Sequence, residues 1–209
     1  MYRHVIWDFD GTLFDTYPSM VGALSFSLSR RGVPADETEI LSLFKISAGV
    51  AISHYMEKCS LDENFLAEYR ERRREIELEA CVPYPGAAEL LSEIVARGGH
   101  NYILTHRGDT LFPILARHGL LSLFTECLTA KSGFPRKPDP AAILYLIKKH
   151  KIAPADAAMV GDRALDILSG KNAGIAAIDY WDGTGPRVDE ADYVAGDFGA
   201  LREIILGDS

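Results

Sequence analysis

Cysteine is scarce in this chain, and the positions of the three cysteines fit neither a disulfide scaffold nor a cysteine metal site. Cys59, Cys81 and Cys127 lie far apart in the 209 residues, are odd in number, and form no Cys-x-x-Cys pair. A secreted disulfide scaffold carries more cysteines, and a cysteine zinc site needs them closely paired. The three cysteines are therefore predicted to be free thiols in a reducing compartment, with neither a metal-binding nor a nucleophilic role.

Long apolar runs and an excess of basic residues are also absent. The longest apolar stretches are far shorter than the roughly 20 residues of a membrane-spanning helix. Strand-like residues directly follow the first four, so we expect no signal peptide. With 22 basic and 30 acidic residues, the formal net charge is −8, which disfavours binding to nucleic acid and to anionic membranes. We expect a soluble, cytoplasmic protein.

Strand-like and helix-like segments alternate along most of the chain. Short apolar runs that end in Gly, Asp or Thr predict strands at residues 5–9, 102–104, 157–160 and 175–178. Helical spacing predicts helices at residues 87–97, 110–118, 141–150 and 165–171. This alternation predicts an α/β fold, with a doubly wound, Rossmann-like parallel sheet that is covered on both faces.

The segment at residues 18–82 has a different pattern. It contains no strand-like run, but several stretches have helical spacing. Asp62 can cap one of these predicted helices, which continues to Ala80. Prolines at positions 83 and 85 then break the helix. We expect a helical inserted domain at 18–82, and an α/β core formed by 1–17 and 83–209.

Two aspartates, Asp8 and Asp10, follow the first predicted strand within Asp-Phe-Asp-Gly-Thr. Residues two apart on an extended chain share a face, so both carboxylates are predicted at the carboxyl end of the strand, where open α/β sheets bind ligands. Gly11 allows a sharp turn and a close approach of a ligand to the backbone. Carboxylates this close need a cation or a shared proton. A simple turn after a strand would use the same residue types.

A second pair of carboxylates, Asp162 and Asp166, follows the predicted strand at 157–160. Asp162 lies at the end of that strand, and Asp166 lies one helical turn later on the same face. A cation that is held by a few carboxylates, with oxygen atoms of substrate and water as its remaining ligands, is more typical of Mg²⁺ than of Zn²⁺ or Ca²⁺. Capping of the next helix by these aspartates is compatible with metal binding.

Two further positions supply groups that a phosphate needs. Thr105 follows a predicted strand, and its hydroxyl and nearby backbone amides can hold phosphate oxygens. Lys137 stands in a proline-stiffened loop before a helix, where it can neutralise phosphate and the aspartates. Each residue also has an ordinary structural interpretation. Thr105 could cap a loop, and Lys137 could be a solvent-exposed loop lysine.

In this order, the motifs Asp-x-Asp-Gly-Thr, Thr, Lys-Pro and Gly-Asp-x-x-x-Asp resemble those of the haloacid dehalogenase superfamily. The resemblance runs from residue 5 to residue 178, and the insert lies where the phosphoglycolate phosphatase and β-phosphoglucomutase group carries a helical cap. It implies an Mg²⁺-dependent phosphatase for a small phosphorylated metabolite. The dehalogenases of the superfamily lack the second aspartate, so Asp10 favours phosphoryl transfer.

The resemblance also implies roles for individual residues. Asp8 is expected to be the nucleophile that forms an aspartyl-phosphate, and Asp10 to act as acid and then as base. Mg²⁺ is expected at Asp8, Asp162 and the backbone carbonyl of Asp10. Asp166 is expected to orient Lys137 or a water of the metal. Substrate contacts are expected from Gly11, Thr105, His106, Lys137 and, in the insert, Lys45.

Two features depart from the family pattern. His106 and Arg107 follow Thr105 where a small or amide residue is commoner, so both are expected to contact substrate. Arg163 follows Asp162 and is expected to place a large cation at the rim of the site.

Other functions stay open at this stage. A sugar-phosphate mutase of the β-phosphoglucomutase type shares the same first steps. A non-catalytic phosphate-binding subunit would keep the fold, although the complete set of catalytic residue types disfavours it. A phospho-accepting signalling receiver is disfavoured because it needs neither a second aspartate nor an insert of 65 residues.

Overall fold

The computed structural model describes residues 1–207, which divide into two compact units. The core unit consists of residues 1–14 and of those from 83 onward, and the insert unit consists of residues 15–82. The boundaries predicted from the sequence fall after residues 17 and 82, so the first differs from the observed one by three residues.

The strands, in chain order, are β1 (His4–Trp7), β2 (Phe14–Asp15), β3 (Val82–Pro83), β4 (His100–Leu104), β5 (Phe124–Leu128), β6 (Ala157–Gly161), β7 (Ala176–Tyr180) and β8 (Tyr193–Ala195). Six of them form one parallel sheet in the order β5-β4-β1-β6-β7-β8. The two-residue strands β2 and β3 pair with each other where the chain passes from one unit to the other.

The helices of the insert unit are α1 (Tyr17–Ser29), α2 (Glu37–Ile46), α3 (Ala48–Lys58) and α4 (Glu63–Ala80). Those of the core unit are α5 (Ala87–Ala96), α6 (Leu111–Arg117), α7 (Ala141–His150), α8 (Ala164–Asn172) and α9 (Phe198–Leu206). Parallel strands that alternate with these helices make the core unit an α/β fold, as the sequence predicted.

Strand β1 lies in the centre of the sheet, and its sequence explains why. Val5, Ile6 and Trp7 are fully buried, as expected for a parallel strand with both faces covered. Trp7 pairs with Ile103 of β4 on one side and with Val160 of β6 on the other. The residue after Trp7 therefore leaves the sheet between the carboxyl ends of two neighbouring strands.

The insert unit has its own apolar core and polar helix caps. Leu24, Phe44 and Phe65 are fully buried in it, together with residues from all four of its helices. Asp62 caps α4 by accepting a hydrogen bond of 3.0 Å from the backbone N–H of Phe65, which confirms the predicted cap. Within residues 1–207, no helix combines the length and apolarity that crossing a bilayer requires.

Three details of the sheet differ from the sequence prediction. Strands β5 and β8 were not predicted, and β1 ends at Trp7 rather than at residue 9. The backbone turns there because the carbonyl of Phe9 accepts hydrogen bonds from the N–H groups of Leu13 (3.2 Å) and Phe14 (3.0 Å). Asp8 and Asp10 thus both lie just beyond the strand, at its carboxyl end.

Candidate active site

Asp8 is the first residue after β1, and its side chain is completely buried. Its backbone N–H donates to the carbonyl of Val160 over 2.9 Å, which fixes Asp8 against the end of β6. The two carboxylate oxygens contact different cations. Oδ1 accepts from Nζ of Lys137 and Oδ2 accepts from Nη2 of Arg163, both over 2.9 Å.

Lys137 is buried as well, so the alternative of a solvent-exposed loop lysine is wrong. Its Nζ contacts the carboxylates of Asp8 and Asp166 and donates to the carbonyl of Leu104 over 2.9 Å. Burial alone would lower the pKa of Lys137, but the carboxylates of Asp166 and Asp8 outweigh it and raise that pKa. Lys137 is therefore a fixed positive charge at neutral pH.

The carboxyl groups of Asp8 and Asp166 respond differently to the same surroundings. Burial favours the neutral form of Asp8, but the charges of Lys137 and Arg163 outweigh it and hold its pKa below the ordinary value. Burial, followed by the charge of Asp8, raises the pKa of Asp166 to about 7. Asp8 is consequently the carboxylate that the site keeps ionised, as a nucleophile requires.

Asp162 and Arg163 follow β6 directly. The hydroxyl of Thr12 lies 3.4 Å from Oδ1 of Asp162, which links the loop after β1 to the loop after β6. Arg163 was expected at the rim, but only 11% of its side chain is exposed, and its guanidinium lies among the carboxylates. Its backbone takes the N-cap position of α8, where it makes no capping side-chain bond.

Asp10 has surroundings of its own. Its carboxylate is 15% exposed and contacts the guanidinium of Arg107, which is almost fully buried. Arg107 also donates to the hydroxyl of Thr110 over 2.8 Å and lies 5.0 Å from the ring centroid of Phe9. The two aspartates of the first motif therefore contact different basic residues, although they lie near enough for the charge of Asp10 to act on Asp8.

Thr105 and His106 line the loop that follows β4. The Thr105 hydroxyl accepts from the backbone N–H of Arg107 over 3.1 Å. Nε2 of His106 accepts from the backbone N–H of Lys137 over 2.9 Å, so it connects this loop to the lysine loop. Burial, with the charges of Lys137 and Arg136, lowers the pKa of His106 to about 4. His106 is therefore neutral at physiological pH.

A cavity of about 210 Å³ lies between the loops after β4 and β5. Its lining includes Thr105, His106, Arg136 and Lys137, together with apolar residues such as Phe134. A small pocket with a few convergent polar groups is typical of a small-molecule site. The lining thus carries two basic residues, Arg136 and Lys137, despite the negative net charge of the chain.

Three carboxylates of the site could hold a divalent cation. Asp8, Asp162 and Asp166 each offer one oxygen, and these oxygens lie within 4.8 Å of one another. Carboxylate oxygens are hard donors of the kind that Mg²⁺ prefers. The donor set thus fits the predicted class of metal, although Asp166 belongs to it where the sequence analysis had assigned it an orienting role.

The two remaining predicted substrate contacts are Gly11 and Lys45. The backbone N–H of Gly11 donates to the carbonyl of Phe14 over 2.9 Å, and Gly11 has a φ of 75°, so it serves the turn after β1. Lys45 belongs to α2 of the insert unit, and its ammonium lies 4.5 Å from the ring centroid of Tyr17.

Two residues contribute to the site that the sequence analysis did not assign to it. Thr12 contacts Asp162, and the position of Thr12 in the Asp-x-Asp-Gly-Thr motif could have indicated this role in the sequence. Gly161 ends β6, where a Cβ would lie 2.8 Å from Oδ2 of Asp166 and closer still to that residue's Cβ. Only glycine leaves room for Asp166 there. The position of Gly161 directly before Asp162 could have indicated this role in the sequence.

The family model of the haloacid dehalogenase-like hydrolases matches residues 5–179. The match covers most of the chain, and this protein belongs to that family. The resemblance that the four motifs carry is thereby confirmed.

Curated relatives of similar sequence are phosphatases. A phosphoglycolate phosphatase of Vibrio vulnificus (strain CMCP6) is 28% identical, over 97% of this chain and 95% of the relative. A 5′-nucleotidase of Pseudomonas aeruginosa is 26% identical, over 98% of this chain and 96% of the relative. The predicted enzyme class, a hydrolase of the phosphatase type, is confirmed.

Solved structures share the fold. A hydrolase from Streptococcus pneumoniae TIGR4 is 35% identical with a TM-score of 0.65, over 84% of this chain and 91% of the other. A structure described as a predicted phosphoglycolate phosphatase, from Haemophilus somnus 129PT, has a TM-score of 0.84 at 24% identity and covers 97% of both chains. The second likeness shows the fold alone, and both agree with the predicted α/β class.

Proposed function

We propose that this protein is a Mg²⁺-dependent phosphatase that hydrolyses a small phosphomonoester through an aspartyl-phosphate on Asp8. The observation that carries the proposal is the Asp8 carboxylate, buried at the end of β1 and kept ionised by Lys137 and Arg163. An ionised carboxylate shielded from water is a competent nucleophile toward phosphorus.

In the first half of the reaction, an oxygen of Asp8 forms a bond to phosphorus while the bond from phosphorus to the alcohol oxygen breaks. Asp10 gives its proton to the leaving oxygen, which departs as a neutral alcohol. The partial exposure of the Asp10 side chain suits a group that exchanges protons with a bound substrate.

In the second half, a water oxygen attacks the phosphorus of the aspartyl-phosphate, and Asp10 accepts the proton that the water loses. The bond from phosphorus to Asp8 breaks, so the carboxylate and free phosphate are regenerated. Acid and base roles of one residue thus follow each other, and Asp10 regains in the second half the proton that it gives up in the first.

The surrounding charges support transfer of an anionic group. Lys137 and the hydroxyl of Thr105 would stabilise negative charge on the phosphoryl oxygens. Asp8 and Asp162 would hold Mg²⁺, which supplies positive charge that lets an anionic phosphate approach the carboxylates. Asp166 contacts Lys137 directly, which supports an orienting role for it.

For the substrate, we propose a small phosphorylated metabolite of the phosphoglycolate kind, after the names of the curated relatives. The cavity of about 210 Å³ suits a small molecule. We further propose that residues 18–82 act as a cap domain that supplies contacts for substrate selection, with Lys45 as the candidate residue.

The test is release of inorganic phosphate from an aryl phosphate, phosphoglycolate and a nucleoside 5′-monophosphate, with Mg²⁺ or with a chelator. We expect turnover only with Mg²⁺, and turnover of Asp8→Asn to fall by at least about 10³-fold, as for loss of a nucleophile. The matched control is Asp156→Asn, which changes an exposed aspartate of the same unit and should leave turnover unchanged.

Specific outcomes would contradict the proposal. Turnover retained in Asp8→Asn would remove Asp8 as the nucleophile. Conversion of a sugar 1-phosphate to its 6-phosphate without phosphate release would identify a mutase. Binding of phosphate without turnover of any substrate would identify a non-catalytic subunit.

A further inference from the structure

Arg163 contacts all three carboxylates of the acidic cluster. Its Nη2 lies 2.9 Å from Oδ2 of Asp8, and its Nε lies 3.7 Å from Oδ1 of Asp162 and 3.6 Å from Oδ2 of Asp166. These are the same residues whose oxygens converge closely enough to hold a divalent cation. A guanidinium therefore provides positive charge where the metal would.

Lys137 and Arg163 divide the oxygens of the cluster between them. Lys137 contacts Oδ1 of Asp8 and Oδ1 of Asp166, and the carbonyl of Leu104 anchors it from a third direction. Arg163 contacts Oδ2 of both aspartates. On Asp8 and Asp166, a divalent cation that left the buried lysine in place would use the oxygens that Arg163 contacts.

A guanidinium and a metal ion compete for the charge of these oxygens. A carboxylate oxygen that gives a lone pair to Mg²⁺ at about 2.1 Å is a weaker partner for a guanidinium on the same side. Two cations a few ångströms apart also repel strongly in a site with little water. Binding of the metal at these oxygens therefore opposes the contacts that Arg163 makes with them.

We propose that Arg163 is a built-in competitor for the divalent cation, which balances the carboxylate charge without metal and leaves the cluster when the metal binds. The inference rests on the metal site of the proposed function and adds a residue that sets metal affinity. Arg163 lies at the extended N-cap residue of α8, and its long side chain has several rotatable bonds through which the guanidinium can change position.

The test is calorimetric titration of metal-free protein with MgCl₂, which needs no substrate. We expect Arg163→Met to bind Mg²⁺ at least about tenfold more tightly than the wild type, because the competing charge is removed. Arg163→Lys keeps a positive charge and should bind less tightly than Arg163→Met. Arg3→Met is the matched control, since it removes the same charge from an exposed position before β1.

The results separate failure of this inference from failure of the proposed metal site. One outcome would overturn the competition alone. In it, the wild type binds Mg²⁺, Asp162→Asn abolishes that binding, and Arg163→Met binds Mg²⁺ no more tightly than the wild type does. Equal gains in Arg163→Met and Arg3→Met would also overturn it, because they would reflect net charge only. Binding in neither the wild type nor Arg163→Met would overturn the metal site and the inference together.

A measurement on the wild type avoids any folding defect of the variants. The side-chain Nε–Hε resonance of Arg163, assigned by its loss in Arg163→Lys, should shift on titration with Mg²⁺ as the guanidinium leaves the carboxylates. A resonance that stays unchanged at saturating Mg²⁺ would show that Arg163 remains in place, and this would overturn the proposal.

Discussion

The ammonium nitrogen of Lys137 lies 2.9 Å from Oδ1 of Asp8, 129 positions away in the sequence, and neither side chain is exposed to solvent. Asp166 and the carbonyl of Leu104 complete the surroundings of this nitrogen. Removing one partner from a buried ion pair leaves the other charge without compensation, which is costly in a medium of low polarity. The charge of Lys137 thus stabilises the buried carboxylates, and the same residue is a candidate contact for the substrate phosphate.

Replacement of Lys137 by methionine should affect stability and catalysis together. The variant leaves Asp8 and Asp166 buried with one cation fewer, so we expect the free energy of unfolding to fall by about 3–5 kcal/mol. Phosphate release should be lost as well. Urea denaturation and a phosphatase assay measure the two effects.

Lys131→Met is the matched control for that change. Lys131 pairs with Asp109 over 2.6 Å, but both side chains are mostly exposed, so its loss should cost at most about 1 kcal/mol. Equal stability losses in the two variants would show that the buried pair contributes no more than a surface pair.

Gly161→Ala should displace Asp166 without changing any charge. The new Cβ would lie within 2.8 Å of Oδ2 of Asp166 and closer still to its Cβ, so the start of α8 must shift. Overpacking of this kind costs about 1–3 kcal/mol of stability, and phosphate release should fall because the contact of Asp166 with Lys137 is disturbed. Thermal unfolding and turnover of an aryl phosphate measure both.

The control for this substitution is Gly108→Ala, where an added Cβ has no neighbour within 4 Å. Its stability should stay within about 0.5 kcal/mol of the wild type. Wild-type turnover in Gly161→Ala would mean that the position of Asp166 does not matter for the reaction.

The central strands and their polar ends could be predicted from the sequence, whereas the edge strands could not. Strands β1 and β6 are buried on both faces and are continuous apolar runs, so Asp8 and Asp162 mark their ends clearly. Strands β5 and β8 form the two edges of the sheet, and exposed residues interrupt their apolar pattern. A three-residue edge strand such as β8 carries too little periodicity to identify.

The partners of the charged side chains were beyond prediction for a different reason. Arg163 was expected at the rim because arginine is rarely buried unless it is paired. Its partner Asp8 lies 155 positions away, and only the parallel pairing of β1 with β6 brings the two together. Spacing along the chain locates the carboxylates, but the direction of a long side chain depends on neighbours that are close only in the folded protein.

Lys45→Met tests the proposed contribution of the insert unit to substrate binding. If Lys45 contacts the substrate equally in the ground and transition states, its loss should raise KM and leave kcat unchanged. Loss of about 1 kcal/mol, as for one exposed ionic contact, corresponds to about a fivefold higher KM. Initial rates against substrate concentration measure both constants.

Lys58→Met is a closely matched control for Lys45→Met. Lys58 belongs to the same unit and also lies over a tyrosine ring, 5.7 Å from the centroid of Tyr55. The same rise in KM in both variants would point to a general loss of charge or stability in the insert unit, and Lys45 would then have no specific role.

His106 should make the stability of the protein depend on pH. Burial, followed by the charges of Lys137 and Arg136, lowers its pKa to about 4, below the ordinary value of 6.5. Between these pH values the unfolded chain binds a proton that the folded chain does not. The contribution of His106 to stability is therefore complete above pH 6.5 and is lost as the pH falls toward 4. Protonation would also end the hydrogen bond that Nε2 accepts from the backbone of Lys137.

His106→Gln should remove this contribution, because a glutamine amide can accept a hydrogen bond but does not titrate. We expect the free energy of unfolding to fall less between pH 7 and pH 4.5 in His106→Gln than in the wild type, as measured by urea denaturation. His100→Gln, at an exposed histidine at the start of β4, should follow the wild type. Parallel pH profiles for the wild type and His106→Gln would contradict the prediction, since the carboxyl groups they share would then account for the whole dependence.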